Sequence, residues 1–275
     1  MEIYDDRACA LGEGPLWHPQ RQELFWFDIL GKQLISKAQV WNFDEHVSAA
    51  GWIDQDRLLL ASETARWEFN IGSGHKTRVV VLEADNLLNR SNDGRADPYG
   101  GFWIGTMGKN AEDYAGAIYR YYRGALRVLF DGITVSNAIC FSPDGLWAYF
   151  SDTHSRTIQR VPLDETDGWP NGDAEIYLDL RADKLNPDGA VVDAQGRIWN
   201  AQWGAGRLAC YDAGGLIEAF DVPAMQTTCP AFGGADLKTM FVTSARVNSA
   251  TEHAGKTFWM DNMEVAGQAE HKVIL

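Results

Sequence analysis

Four short stretches of this chain place polar side chains among strand-forming neighbours. Glu13 stands between two glycines in "LGEGPLWHP". "NRSNDGRADPYGGFWIGTM" gathers Asn89, Arg90, Asn92, Asp93, Arg95 and Asp97 just before an apolar run. Asn137 interrupts "ITVSNAICF", although asparagine is disfavoured within strands. Asp188 lies in "LNPDGAVVDAQGRIW". Each has an ordinary structural explanation by itself: a solvated turn carboxylate, a polar turn, a hydrogen-bonded bulge, an NPDG turn. Brought together, they amount to two carboxylates, neutral amide oxygens and a guanidinium. Oxygen-only donors suit a hard divalent cation such as Ca²⁺, Mg²⁺ or Mn²⁺. Two carboxylates neutralise such an ion, which leaves Arg90 for an anionic or hydroxyl-rich ligand.

Residues this far apart in sequence share a site only if the fold returns the chain to one place repeatedly. Helical periodicity is scarce, and short alternating or apolar runs separated by Gly, Asp, Asn and Pro predict strands. One pattern recurs, in which a turn leads into an aromatic-aliphatic strand and a second strand follows. The first strands read "RQELFWFDI", "QDRLLLASE", "YGGFWIGTM", "DGLWAYFSD", "QGRIWNAQW" and "LKTMFVTSA", and their partners run from "KQLISKAQV" to "GKTFWMDNM". Units spaced by roughly 35–50 residues fit propeller blades around a central channel. The expectation is an all-β, six-bladed β-propeller with a central metal site, formed by residues 1–275 as a single domain. The final "AEHKVIL" is expected to pair with the N-terminal "EIYDDRACA" and close one blade from both chain ends.

Composition narrows the partners. A net charge of -14 supplies no basic footprint for nucleic acid or anionic membrane. No apolar run approaches the ~20 residues that span a bilayer. The N-terminus lacks a basic region followed by an apolar stretch, so a cytoplasmic protein is expected. The four cysteines form no C-x-x-C pair, and buried thiols are expected. Closed propellers leave few unpaired edges, which favours a monomer. The tryptophans are expected to pack between blades, with Trp203 the exception.

At this point "LGEGPLWHP", "NDGRADPYGGFWIGTM", "SNAICFSPDG", "NPDGAVVDAQGRIWNAQWG" and "CPAFGGADLKTMFVTSA" together resemble the signature segments of the SMP-30/gluconolactonase/LRE family, which includes regucalcin. They occur in family order across residues 11–245. The resemblance implies a six-bladed propeller with one divalent metal in its channel, Ca²⁺ first, with Zn²⁺, Mn²⁺, Mg²⁺ or Fe²⁺ as alternatives. It implies hydrolysis of sugar lactones, aldonolactones such as the glucono-, xylono-, arabinono- and galactonolactones, to aldonic acids. Carried over, Glu13, Asn137 and Asp188 match the family's metal ligands, and Asp188 also matches its acid/base residue. Arg90 and Asn92 match positions that contact the substrate or lie beside the metal. Asn110 stands at the spacing where animal members carry a substrate-contacting glutamate, which leaves sugar preference open. Trp203-Gly204 is similar to a "WG" of bacterial sugar-acid lactonases. The competing expectations are a non-catalytic, regucalcin-like calcium-binding protein and a related lactone or phosphotriester hydrolase with a more apolar channel.

Overall fold

The computed structural model describes residues 1–249 and 251–275. Its strands form six four-stranded antiparallel sheets, each a blade. The innermost strands are Gly12–His18, Val47–Asp54, Asn89–Ala96, Ser136–Phe141, Asn186–Val192 and Thr227–Gly233. Each packs against the next, and the last packs against the first, so the ring closes. Thr153–Ser155 forms a short 3-10 turn.

The core follows from the pleat. Successive side chains of a strand point to opposite faces, and a strand between two neighbouring blades must bury both. In the second strand of blade two, Leu58 and Leu60 join the cluster shared with blade one, whereas Leu59 and Ala61 join the cluster shared with blade three. Trp103 fills the interface of blades three and four, and Trp199 that of blades five and six. Trp26 and Trp17 fill the interface of blades six and one. Inter-blade packing is therefore where the sequence put most tryptophans.

The strands read from the sequence as first and second of each unit are the second and third of each blade. "RQELFWFDI" contains the strand Glu23–Asp28, and "KQLISKAQV" contains Gln33–Ser36. The outermost strands are largely exposed and carry little pattern: Lys76–Val81 and Gly215–Asp221 have no fully buried residue.

Both chain ends act on closure, but not with each other. Glu2–Asp5 completes blade six by pairing with Thr257–Met260, Ile3 opposite Phe258. The expected pairing of "AEHKVIL" with the N-terminus is corrected. That segment instead crosses the ring at the C-terminal ends of the innermost strands. Gln268 Nε2 donates to the carbonyls of Phe141 and Val192 at 3.0 and 2.9 Å. The amides of Val273 and Ile274 donate to Trp52 and Gly100, and Glu270 pairs with Arg95. Thr257–Met260 offers an open strand edge to the first strand, whereas the tail finds separate acceptors on several blades. All four cysteines are free and buried. Among the described residues, no helix is long and apolar enough to cross a membrane.

Candidate functional site

Every innermost strand breaks register near its start. The irregularities fall between Glu13 and Leu16, Val47 and Ala49, Ser91 and Gly94, Asn137 and Cys140, Pro187 and Ala190, and Thr227 and Pro230. A bulge leaves residues unpaired and re-aims their side chains. Here four of the bulges hold or abut the polar residues singled out in the sequence. The residue after Glu13 is Gly14, at a φ of 53°, where a Cβ would lie 2.3 Å from the carbonyl oxygen of Ser48. The residue after Asn137 is Ala138, also left-handed at a φ of 56°. Glycine is thus required beside Glu13, and alanine bears the strain beside Asn137.

The re-aimed side chains share one cavity of about 350 Å³. Glu13, Arg90, Asn92, Asn137 and Asp188 all line it and are all buried. Leu11, Met107, Val135, Trp203 and Val247 supply apolar wall, and exposed Lys109 and Asn110 stand at its rim. Trp203 lines the cavity and also packs against the apolar cluster shared by blades one and two.

A hydrogen-bond chain fixes three of these residues and runs on through Thr153 to a third blade. Arg90 Nη1 donates to the Ser91 carbonyl at 2.9 Å and to Asn92 Oδ1 at 2.7 Å. The amide of Asn92 is thereby oriented, and its Nδ2 donates to the Ser136 carbonyl at 2.8 Å and to Asn137 Oδ1 at 3.2 Å. Asn137 Nδ2 donates to Thr153 Oγ1 at 2.8 Å, and Thr153 passes its own proton to the Pro187 carbonyl at 2.7 Å. A hydroxyl has one proton, so Thr153 accepts from Asn137 and fixes which way that amide faces. Below Asp188, Asn200 Nδ2 donates to the carbonyls of Asp188 and Gly189.

Charge in the cavity is poorly compensated. Burial, followed by the Asp93 charge, pushes Glu13 from its ordinary 4.5 up to about 8. Burial, followed by the Glu13 and Asp93 charges, holds Asp188 well above the usual carboxylate range. Burial raises Asp93 to about 6, although the Ile139 amide donates to its Oδ2 at 2.7 Å. Burial lowers the Arg90 guanidinium to about 10 against the attraction of Glu13 and Asp188. None of Glu13, Asp93 and Asp188 has an ion pair within 4.0 Å among the described residues.

A divalent cation fits this donor set. Glu13 and Asp188 lie within side-chain hydrogen-bonding reach of each other, and two adjacent buried carboxylates ionise together only if a cation joins them. Asn137 Oδ1 adds a neutral oxygen, the donor type that hard cations take beside carboxylates. Among the described residues, no group of three or more His, Cys, Asp or Glu is arranged to hold a metal. The candidate set is two carboxylates and an amide, which such a grouping does not include.

Asn110 lies at the cavity rim, but its amide group is engaged, its Nδ2 donating to Glu112 Oε1 at 2.9 Å. Sequence reasoning passed over Thr153, the hinge of the hydrogen-bond chain, and Lys109, whose Nζ lies 3.3 Å from Glu63 Oε2. Neither carried a signal, since "SDTHS" and "GKN" read as ordinary turns.

A Rhizobium meliloti (strain 1021) protein, provisionally named a sugar lactone lactonase, is 39% identical over 278 residues, covering 96% of this chain and 94% of its own. A 6-deoxy-6-sulfogluconolactonase of Pseudomonas putida is 32% identical, covering 90% of this chain and 87% of its own. The crystal structure of a calcium-binding protein, regucalcin, from Agrobacterium tumefaciens str. C58 superimposes with a TM-score of 0.96 at 40% identity, covering 99% of this chain and 97% of that one. The family described as SMP-30/Gluconolactonase/LRE-like region matches residues 11–246. Glu13, Asn137 and Asp188 all fall inside that span, and the chain belongs to this family.

Proposed function

We propose that this protein is a metal-dependent sugar lactonase, opening an aldonolactone to its aldonic acid. The observation that carries the proposal is the convergence of Glu13, Asn137 and Asp188 on a single cavity from three different blades. The lactonase names borne by relatives at 32–39% identity support it. Glu13, Asn137 and Asp188 would hold the cation, Ca²⁺ being the first candidate. When bound, that cation supplies Lewis-acid polarisation of the lactone carbonyl and eases deprotonation of water.

The remaining chemistry belongs to the chain. Asp188 accepts the proton of the attacking water as the new bond to the carbonyl carbon forms. It then returns that proton to the ring oxygen as the acyl–oxygen bond breaks. Arg90, clamped to Asn92, faces sugar hydroxyls or the ring oxygen, and Asn110 touches the exposed end of the sugar. Leu11, Met107 and Trp203 exclude water and cover the apolar face of the ring.

Turnover of glucono-, xylono-, arabinono- and galactonolactone, followed by pH indicator with and without chelator, tests the proposal. Metal-dependent opening of at least one is expected, and no turnover on any of them overturns it. A second reading, a non-catalytic calcium-binding protein, draws on the description of the Agrobacterium tumefaciens protein. It predicts calcium binding with no turnover.

A further inference from the structure

A second cavity, of about 430 Å³, adjoins the first. Ala111, Val135 and Thr153 line both, so the two cavities share a wall. Thr153 accepts from Asn137 on one side, which puts the second space one side chain from the candidate metal ligands. Its own lining differs in character, adding Arg156, His154 and Asn186.

Arg156 is the unusual member. The chain carries a net charge of -14, yet among the described residues Arg156 makes no ion pair. The nearest carboxylate in sequence, Asp152, is occupied by the backbone amides of Thr134, Val135 and His154. Lys109, at the rim of the first cavity, is by contrast matched by Glu63. The Arg156 backbone is held left-handed at a φ of 56°, its amide donating to the Thr153 carbonyl. Its Nε donates to Asn186 Oδ1 at 3.1 Å. The guanidinium is therefore anchored at one edge and borders a cavity that, among the described residues, no carboxylate lines.

We infer that this second cavity is a subsite for a carboxylate carried by the lactone away from its ring carbonyl, with Arg156 as the residue that reads it. The substrate class is then the monolactones of sugar diacids, beside neutral aldonolactones. A guanidinium suits this task because it presents a planar fork of donors that matches a carboxylate. The inference rests on the lactonase reading above and adds to it a specificity that the metal ligands do not determine.

The test compares neutral D-gluconolactone with D-glucarolactone, which carries the extra carboxylate, in the native protein, Arg156→Gln and Arg156→Lys. Arg156→Gln is expected to raise KM for glucarolactone about ten-fold, the loss of one charge-assisted hydrogen-bonded contact, while leaving KM for gluconolactone unchanged. Arg156→Lys keeps the charge and restores part of the difference. Added salt raises KM for glucarolactone alone, because the pair it screens is only partly buried. An unchanged ratio of the two kcat/KM values in Arg156→Gln overturns the inference, as does an equal loss on both substrates. If the native protein opens no lactone, the lactonase reading falls, and calorimetry with D-glucarate decides the subsite separately. Weaker binding to Arg156→Gln than to the native protein supports the subsite, and equal binding overturns it.

Discussion

Asn92 Nδ2 donates to Asn137 Oδ1 at 3.2 Å, and Arg90 holds Asn92 in the orientation that makes this contact. A residue of blade three thus fixes the amide of a candidate metal ligand in blade four. Arg90→Lys keeps a positive charge but replaces the rigid planar guanidinium, whose single Nη1 contacts both the Ser91 carbonyl and Asn92 Oδ1, with a flexible ammonium of different reach. Misplacing a reacting group by an ångström costs about 100-fold, so lactone kcat/KM in Arg90→Lys is expected to fall by that order. Steady-state kinetics beside a thermal melt check it, with the fold expected to survive. Undiminished kcat/KM would mean that the clamp does not matter.

The second prediction concerns pH and metal. Glu13 rises from 4.5 to about 8 on folding, because burial and the Asp93 charge oppose its ionised form. The folded protein then binds more protons than the unfolded chain between these values, and stability falls as pH rises through that window. In chelator, Tm should decline from about pH 4.5 to pH 8 more steeply in the native protein than in Glu13→Gln. Added Ca²⁺ should cancel the decline and release protons on binding. Scanning calorimetry at several pH values, with and without Ca²⁺, reads both effects. Identical slopes for the two proteins would remove Glu13 from the account.

Asp188 divides binding from chemistry. Asp188→Asn keeps an oxygen near the cavity but cannot take a proton from water. Removing a positioned base costs typically 10²–10⁴-fold, so kcat should drop by that order. Asn110→Ala, at the exposed rim and bound to Glu112 rather than to the buried set, should change KM more than kcat. Near-native turnover in Asp188→Asn would reassign the proton transfer to another group, with Asp93 the next buried carboxylate to test.

These particular residues also show what the sequence could and could not reveal. The middle strands of each blade bury both faces and read as apolar runs, as in "LLLAS" at Leu58–Ser62 or "FWIG" at Phe102–Gly105. They made the six-fold repeat legible. The innermost strands are bulged and carry the polar site, so "NRSNDGRA" at Asn89–Ala96 reads as a turn although it is a strand. Asn137 stood out because it interrupts a strand-like run, whereas Glu13, Arg90, Asn92 and Asp188 lie in stretches that read as turns and stood out only when the four were taken together. Arg156 and Thr153 lie in a turn where polar residues are ordinary, and only packing reveals what they border. The tail was misassigned for a related reason. Its burial comes from Gln268, Glu270 and Val273 meeting separate blades, an arrangement with no local pattern.

That tail carries the last prediction. Glu270 and Arg95 form an ion pair whose side chains are 9% and 12% exposed, at the end of the channel away from the cavity. Trp52 Nε1 donates to the Glu270 carbonyl at 2.7 Å, so the segment is held by backbone as well as charge. Breaking a buried pair by removing one partner strands the other, at about 3–5 kcal/mol. Glu270→Ala should therefore lower Tm markedly, whereas Glu270→Ala combined with Arg95→Met should recover part of the loss because Arg95 is no longer left buried without Glu270. Urea denaturation of the four proteins of this double-mutant cycle measures the coupling. Asp93 sharpens the expectation, since it also feels the Arg95 charge and its Oδ2 accepts from Ile139 in the neighbouring blade. Glu270→Ala leaves Arg95 with the Asp93 charge and its Nε bond to the Ile139 carbonyl, so the single variant should also shift the pH dependence of turnover. Strictly additive losses in the cycle, with an unshifted pH profile, would make the tail a cover for the channel end with no electrical link to the site.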